Sequence, residues 1–313
     1  WLRDRVRDLI AHEAAQALER EVAVGPVSGD LREGFTIHGL RIAKATHLSS
    51  GTLLSVEAVR VGHDLRRVIK GRTPLTHIIR AVGVDGVRVH LARHRDSGLY
   101  LLQALPTQGR SVSLGMGPLV MIREATVEYT DYRLRSANGS PLRVTFCNGF
   151  AQVRLGRLLA FLRGEVSTPG RAEIEGHLTA TCGSQAVRTW LHATDARVVA
   201  RGLEFTDKDT GEYARAASVE VSYSLQGLAK QRVPLTGMVR RLRVDRPDLN
   251  LFRAANGRLS ILRTMESWVP SRPALTRPSL VMQVTGGVLA FTDHSLRPDG
   301  PLYLTATDVN GEA

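Results

Sequence analysis

The spacing of apolar residues changes from a helical period to a strand period after Glu21. Residues Trp1–Glu21 carry Leu, Val, Ile and Ala at helical spacing, with Arg and Asp between them, which predicts an amphipathic helix. Beyond this helix apolar and polar residues alternate, as in Val87–Leu91 and Ala172–Cys182. A period of two is typical of a strand that turns one apolar face toward a core. The chain is therefore predicted to be mainly β, with one N-terminal helix.

A few short helical stretches and turns separate the predicted strands. Helical spacing recurs briefly in Asp64–Lys70, Leu99–Leu105 and Arg154–Gly164, and Ser136–Ser140 has the composition of a turn. A parallel strand pair needs a long crossover, usually a helix. Because these helices are few and short, parallel βαβ units are not favoured, and the sheet is predicted to be mostly antiparallel.

One stretch of the sequence occurs twice. Pro74–Leu105 returns as Pro234–Met265 at an offset of 160 residues (234 − 74) without gaps, and ten of the thirty-two residues are identical. A second correspondence joins Tyr129–Asp131 to Phe291–Asp293. A unit of this length exceeds the common solenoid repeats, so each copy must hold several strands.

The repeat predicts three segments: an N-terminal amphipathic helix over 1–21, a first β unit over 22–203, and a second, incomplete β unit over 204–313. A sheet that is apolar on one side must cover that side. A closed barrel or sandwich covers it with more sheet, whereas an elongated repeat can curl lengthwise, so that the apolar face lines a trough. An open trough exceeds the apolar patches that monomers usually expose, which favours an apolar occupant.

The chain is strongly basic, and nearly all of its positive charge is arginine. The net charge is +12, and only four of the forty-two basic residues are lysines. One interpretation is an anionic partner, either phospholipid headgroups or nucleic acid. The other is a GC-rich genome that encodes arginine in place of lysine, since the arginines are interspersed. Nucleic-acid binding is not predicted, because it needs clustered basic residues with stacking aromatics, and aromatics make up 5% of the chain.

No motif of an enzyme, metal site or cofactor site occurs in the sequence. It has no GxSxG elbow, Walker loop, GxGxxG or HExxH motif, so neither catalytic activity nor a cofactor is predicted. His90 and His94 are four residues apart but have no third ligand nearby, so no metal site is predicted. Cys147 and Cys182 could form one disulfide in an oxidising compartment or remain two buried thiols.

Several parts of the sequence resemble one family of bacterial envelope proteins. These parts are the N-terminal helix, the stretch Val22–Asp30, the strand at Gly39–Ile42, the strand–helix–strand pattern of the repeat, and the stretch Phe291–Leu304. Together they resemble the AsmA-like family, and within it the TamB branch, the inner-membrane subunits of the translocation and assembly module. The resemblance implies a long groove-shaped β-sheet, built from repeated strand groups, like that of the bridge-like lipid-transfer proteins.

The resemblance also implies a location and a function. It implies a periplasmic body held to the inner membrane by an anchor before Trp1, and an outer-membrane partner protein reached by a C-terminal part beyond Ala313. It implies transport of phospholipid between the two membranes, linked to outer-membrane biogenesis and protein assembly. The chain shown has no run of about 18 apolar residues.

A lipid groove would need a dry aliphatic lining instead of an active site. Each buried CH₂ group of an acyl chain contributes about 0.8 kcal/mol, so alternating Val and Leu side chains would hold a lipid firmly yet let it slide. For each residue alone, ordinary core packing is the other interpretation. The residues predicted to face inward are Val59, Val61, Val87, Val89, Leu91, Val127, Tyr129, Leu142, Val144, Phe146, Ile174, Leu178, Val219, Val221, Leu249 and Leu251.

A second function also fits the sequence. A periplasmic β-repeat scaffold whose sheet is packed shut could bind client proteins without conducting lipid. The two functions differ in one observable property: a groove carries bound phospholipid, whereas a closed scaffold buries its apolar face within itself.

Overall fold

The computed structural model describes residues 2–30, 34–63, 79–93, 118–136, 138–154, 157, 170, 172–223, 239–253, 281–295 and 300–312. The short helices predicted at 64–70 and 99–105 lie outside these residues. So does the one predicted at 154–164, apart from Arg154 and Arg157. His94 also lies outside the described residues.

The described chain is mainly β after one helix, as predicted. Helix α1 spans Leu2–Leu18, and a 3-10 helix spans Leu48–Ser50. Glu19 has a left-handed φ of 53°, a backbone conformation that commonly ends a helix. The strands are β1 Val22–Ala23, β2 Val27–Asp30, β3 Gly34–Ala43, β4 Thr52–His63, β5 Ile79–Asp85, β6 Arg88–Arg93, β7 Leu119–Arg135, β8 Pro141–Arg154, β9 Glu173–Cys182, β10 Gln185–Thr194, β11 Arg197–Asp207, β12 Tyr213–Tyr223, β13 Val239–Arg253, β14 Val281–Asp293 and β15 Leu302–Glu312.

These strands form one mixed sheet with a largely sequential order. The order is β1-β3-β4-β5-β7-β8-β9-β10-β11-β12-β13-β14-β15, with β2 beside β3, and β6 beside β4 and β7. The neighbours β5 and β7 are parallel, as are β13 and β14, and the other pairs whose register is defined are antiparallel. The predicted antiparallel character is thus confirmed, with two parallel exceptions.

The two parallel pairs occupy equivalent places in the two copies of the repeat. In the first copy β4 runs antiparallel to β5, and β5 runs parallel to β7. In the second copy β12 runs antiparallel to β13, and β13 runs parallel to β14. The sequence repeat therefore has a structural counterpart in strand pairing.

The chain divides into two compact units. One holds Trp1–Thr130 and Thr145–Gly176, and the other holds Asp131–Val144 and His177–Ala313. The boundary between the two repeat copies at residue 203 was drawn from the sequence, and it stays a prediction.

The strands are longer than the alternation of apolar and polar residues predicts, because this alternation shifts by one residue inside them. Such a one-residue shift is called a slip below. Apolar residues of β3 fall at Phe35 and Ile37, then at Leu40 and Ile42, so the sequence predicts two short strands around Gly39. The structure has one continuous strand, Gly34–Ala43. Gly39 lies inside it with φ +70°, a conformation that glycine adopts without steric cost.

The same slip recurs once in most long strands, at a residue with left-handed backbone. In the first unit these residues are Gly39, Glu124 and Asn148, and Gly86 lies between β5 and β6. In the second unit they are Gly202, Arg246, Gly286 and Asp308. At Gly39, Gly202 and Arg246 the partner strand passes over one residue as well, so the pairing register is the same on both sides of the slip.

Within each unit the slips keep apolar side chains of neighbouring strands on the same side of the sheet. Strict alternation would place Val56 and Val59, three residues apart, on opposite faces. Instead both belong to one cluster, in which Val59 packs against the buried Val56 and Val87. In the second unit Val244 and Pro247 are also three residues apart, and they lie opposite the small apolar residues Val219 and Ala216. Neighbouring strands thus slip together.

The repeat equivalents Gly86 and Arg246 provide a test of these positions. Arg246 has φ +47°, and a left-handed conformation costs a non-glycine residue about 1–2 kcal/mol. Since glycine also loses more chain entropy on folding, Arg246→Gly should stabilise the second unit by about 0.5–1 kcal/mol. The exposed ion pair between Arg246 and Asp245, 3.5 Å long, contributes little. Urea denaturation measures the change.

The matched control is Arg243→Gly, three residues earlier on the same exposed strand but with ordinary β-backbone. This variant should lose about 0.5–1 kcal/mol, because it adds chain entropy without relieving strain. Equal destabilisation by both substitutions would contradict backbone strain at Arg246.

Candidate functional site

In each unit the candidate site is the apolar face, the side of its strands that carries a cluster of buried residues. In the first unit its centre is Val56, Val87 and Ala125, which are 5–8% exposed. The partly buried residues that pack against them are Leu40, Leu54, Val59, Val84, Val89 and Ile122. The cluster draws on β3 to β7, so five neighbouring strands present aliphatic side chains to the same side.

The second unit has its own cluster on the apolar face. Leu142, Ala180 and Cys182 are 4–9% exposed, and Leu134, Val144 and Val187 pack against them. Further along this unit the paired strands extend the apolar face. Val219 lies opposite Val244, and Leu249 lies opposite Leu289. The face is thus aliphatic from β7 to β14 within this unit.

Most of the predicted lining residues are neither buried nor exposed. Val87 and Leu142 are buried at 6% and 9% exposure, so packing within the protein accounts for them. Ile174 is 45% exposed. The partly buried ones are Val59, Val61, Val89, Leu91, Val127, Tyr129, Val144, Phe146, Leu178, Val219, Val221, Leu249 and Leu251. An aliphatic face on which most side chains keep some exposure can still contact an apolar ligand.

Sequence reasoning missed about half of this face. After a slip, apolar residues move from odd to even positions or the reverse. Two apolar stretches that look like separate strands in the sequence then belong to one strand face. The missed residues on the face are Leu40, Leu54, Val56, Val84, Ile122, Ala125, Ala180, Val187, Leu242, Val244, Leu289 and Phe291. A spacing of two, three and two between apolar residues is the signal that would have found them.

Phe146 lies flat against small residues in the first unit. A Cβ atom at Gly149 would lie 2.5 Å from Phe146 Cε1 and 3.1 Å from Ala125 Cβ. A Cβ atom at Gly176 would lie 2.6 Å from Phe146 Cζ. Glycine at both positions therefore makes room for the ring, which places this predicted lining residue on the same face as Ala125.

The opposite side of the sheet, the polar face, carries charged residues that pair across strands. In the first unit Arg60 Nη2 lies 3.1 Å from Asp85 Oδ2, and Arg88 Nη2 lies 3.6 Å from Glu57 Oε1. His90 Nδ1 lies 3.0 Å from Glu128 Oε2, so this histidine has a carboxylate partner across the strands. Each exposed pair contributes less than about 1 kcal/mol, but together they identify the side that faces water.

The second unit has the same arrangement on its polar face. Arg197 pairs with Glu220 at 3.5 Å, and Arg215 pairs with Glu204 at 3.1 Å. The Arg201 guanidinium lies 4.9 Å from the centre of the Trp190 ring. Both units therefore separate charged and aliphatic side chains onto opposite sides of the sheet.

Among the described residues four carboxylates are buried, and three of them belong to one motif. An aromatic residue, Thr and Asp occur together at 129–131, 205–207 and 291–293; the sequence analysis found the first and third. Asp131, Asp207 and Asp293 are 1–5% exposed, and Glu212 is 2% exposed. Each aspartate accepts a hydrogen bond from the backbone N–H two residues later: Arg133 at 2.8 Å, Asp209 at 3.0 Å and Ser295 at 2.8 Å. Asp207 and Asp293 end their strands and satisfy the turn that follows, whereas Asp131 lies inside β7.

Asp207 is the most thoroughly hydrogen-bonded of these carboxylates. It accepts hydrogen bonds from Ser184 Oγ at 2.8 Å and from Gln185 Nε2 at 3.0 Å. Burial alone would raise the pKa of this carboxyl, but these side-chain bonds and the backbone bonds of the turn outweigh it, and the pKa is lowered. The carboxylate is therefore ionised and structural.

Both cysteines are free thiols. Cys182 is buried in the second cluster, with its Sγ 3.7 Å from the backbone carbonyl oxygen of Ser140, and burial raises the pKa of its thiol. Cys147 is partly buried. Among the described residues, no group of three His, Cys, Asp or Glu side chains is arranged to hold a metal ion.

Gly176→Ala tests the close packing under Phe146. Because the new methyl group would overlap the ring, the variant should lose about 1–3 kcal/mol of unfolding free energy. The control is Gly311→Ala, where a Cβ would meet nothing within 4 Å, and it should change stability by less than about 0.5 kcal/mol. Adding Phe146→Leu to Gly176→Ala should recover part of the loss; strictly additive losses would contradict the contact.

Asp207→Asn tests the strand-end carboxylate through pH. A lowered folded-state pKa means that Asp207 stabilises the fold above the ordinary aspartate pKa near 3.8 and loses this contribution as pH falls through the lower folded-state value. At pH 7 the variant should lose about 1–3 kcal/mol, since its amide opposes the Gln185 donor. The loss should shrink below pH 4 in denaturation curves. The exposed neighbour Asp209→Asn should show neither effect, and a pH-independent loss in Asp207→Asn would contradict the ionised role.

Comparison with known proteins identifies no relative of this chain. No protein-family model and no curated protein matches it. None of the described helices has the length and apolar character needed to cross a membrane. The resemblance to the AsmA-like family therefore stays a prediction, and the candidate site rests on the geometry of the apolar face.

Proposed function

We propose that this chain binds the acyl chains of phospholipids on the apolar face of its sheet and passes them between the inner and outer membranes of a bacterial envelope. In this proposal the chain is part of a periplasmic, inner-membrane-anchored protein of the AsmA-like type, linked to outer-membrane biogenesis. The observation that supports it is the partial exposure of aliphatic side chains along both units, opposite a polar face of cross-strand ion pairs.

Within the part of the chain that the structure describes, the aliphatic side of the sheet keeps surface that a ligand can contact. The polar face has ion pairs that remain solvated, so the two faces differ in what they can contact. Fourteen of the sixteen predicted lining residues keep part of their surface accessible. Acyl chains have the matching chemistry, because they gain about 25 cal/mol for each Å² of apolar surface removed from water and need no directional contact.

The slips support a lengthwise curl of the sheet toward the apolar face. In each unit at least three long strands contain a left-handed residue, where the extended backbone is interrupted and the strand can bend. Aligned bends in neighbouring strands would form a crease and turn a flat apolar face into a groove. Polar headgroups would then stay at the open edge, where arginines of this basic chain could pair with phosphate.

The first test is whether lipid accompanies the protein. Lipid extraction and native mass spectrometry of the purified chain should find phospholipid in stoichiometric amount. A lipid-free protein whose apolar face is shielded from a fluorescent acyl probe would support the closed scaffold instead.

The second test places a charge on the apolar face without disturbing its buried clusters. Ile174→Glu suits this, because Ile174 is 45% exposed and tolerates a polar side chain more readily than Val89 or Val144. Desolvating the new carboxylate against an acyl chain should weaken binding of the probe by about tenfold or more. The control is His177→Glu, an exposed position on the same strand at the opposite parity, which should bind normally. Equal affinity of both variants, with intact circular dichroism, would contradict acyl binding on this face.

A further inference from the structure

One arginine recurs at the start of the same strand in both copies of the repeat. Arg80 in β5 and Arg240 in β13 are equivalent at the repeat offset of 160 (240 − 80), and both are exposed. In the second unit β12 pairs with Val239 and then with Arg241, so it passes over Arg240. In the first unit β4 passes over Arg80 in the same way. Each arginine is therefore the extra residue of a β-bulge, a feature that re-aims a side chain.

The two recurring arginines of β13 differ in what lies beside them. At the end of this strand Arg253 Nη1 lies 3.2 Å from Oδ2 of the buried Asp293, so this arginine has a structural role. The strand partners of the residues on either side of Arg240 are Tyr223, Ser222 and Val281. The equivalent partners in the first unit are His63, Gly62 and Leu119. Neither set contains a carboxylate, so the exposed guanidinium at this position is placed to attract an anion.

The apolar face begins directly beside each of these arginines. Leu242 of β13 lies opposite Met282 of β14, and Met282 is 41% exposed. The equivalent pair in the first unit is Val82 and Val120, and each lies two residues before a member of the first cluster. Both of these valines are partly exposed. Each unit thus brings an exposed arginine next to accessible aliphatic side chains at one end of its apolar face.

An arginine beside an aliphatic surface matches the chemistry of an anionic amphiphile. The aliphatic side chains gain free energy when acyl chains cover them. One guanidinium can donate two parallel N–H bonds to a phosphate, which fixes the position of the phosphate as well as its charge. Among lipids with the same acyl chains, this arrangement favours those that carry a phosphate over uncharged diacylglycerols.

We propose that each unit has a phosphate site for a lipid headgroup at this end of its apolar face, formed by Arg80 in the first unit and by Arg240 in the second. The site rests on the proposed function, because it requires acyl chains on the apolar face. It adds the residues that hold the headgroup and the class of lipid selected, a glycerophospholipid with an anionic phosphate. Recurrence in both copies suits a ligand that is bound repeatedly along its path.

The test compares three ligands by calorimetric titration of the purified chain: dihexanoyl phosphatidic acid, dihexanoylglycerol and glycerol 3-phosphate. The first two differ in the phosphate, and the third carries the phosphate without acyl chains. The chain should bind phosphatidic acid about tenfold more tightly than dihexanoylglycerol, which is the contribution of a charge-assisted hydrogen bond. Glycerol 3-phosphate should bind about a hundredfold more weakly than phosphatidic acid, because it has no acyl chain to bury.

Paired substitutions assign the preference to the two arginines. Arg80→Gln together with Arg240→Gln should weaken binding of phosphatidic acid about tenfold and leave dihexanoylglycerol unchanged. The control, Arg88→Gln with Arg188→Gln, removes the same charge from exposed positions on the polar face and should keep the preference. Lysine at positions 80 and 240 keeps the charge but not the paired N–H groups, so it should cost about threefold. The lysine pair provides the measurement if the glutamine pair does not fold.

The possible failures separate the headgroup site from acyl binding. Equal affinity of the wild-type chain for phosphatidic acid and dihexanoylglycerol would overturn the headgroup site and leave acyl binding intact. Equal losses in the glutamine pair and its control, or loss of both lipids in the glutamine pair alone, would also overturn it. Binding of glycerol 3-phosphate as tight as that of phosphatidic acid would identify a site for free phosphate instead. Binding of neither lipid would contradict the proposed function itself, and the headgroup site with it.

Discussion

The structure depends on keeping one side of the sheet apolar across strands that do not alternate regularly. Side chains change face at every residue, so one extra residue sends the rest of a strand to the wrong side. Here the slips occur together, such as at Arg246 beside Gly286 in the second unit. Because adjacent strands slip together, their registers stay matched, and Val56 and Val59 can share one cluster. The two faces stay separate because neighbouring strands slip at the same place.

The repeat preserves this backbone feature more closely than it preserves the residues. Gly86 in the first copy is Arg246 in the second, and Glu124 in the first is Gly286 in the second, yet all four have left-handed φ. A left-handed conformation is costly for Arg and Glu, so the surrounding strand pairs must impose it. The strained position is therefore required by the sheet and not chosen by the local sequence. The aspartate before it, Asp85 or Asp245, also recurs, but Asp85 pairs with Arg60 and Asp245 pairs with its neighbour Arg246.

The sequence was sufficient to predict the mainly β content, the helix and the repeat, because each depends on a period that can be counted directly. Strand lengths and half of the apolar face could not be predicted, since a slip at Glu124 or Arg246 leaves no glycine to mark it and looks like the end of a strand. The parallel pairs were missed because strand direction depends on connections between strands, not on the pattern within them. The role of Asp207 was missed because its side-chain donors, Ser184 in the turn before β10 and Gln185 at the start of β10, are distant from it in sequence.

A groove for acyl chains would need buried side chains that fix its position and partly exposed side chains that contact the ligand. The apolar face has both. Fully buried side chains such as Val87 give the face a fixed position, and partly exposed neighbours such as Val89 leave surface for a ligand. Among the described residues, ion pairs lie on the polar face and carboxylates such as Asp293 are paired at strand ends, so a ligand on the aliphatic side would meet mainly apolar groups. Binding on such a face scales with apolar area and has little preference for one position over the next. A ligand held in this way is retained yet free to move along the strands' shared face, which is the property that transport requires and that a specific pocket would lack.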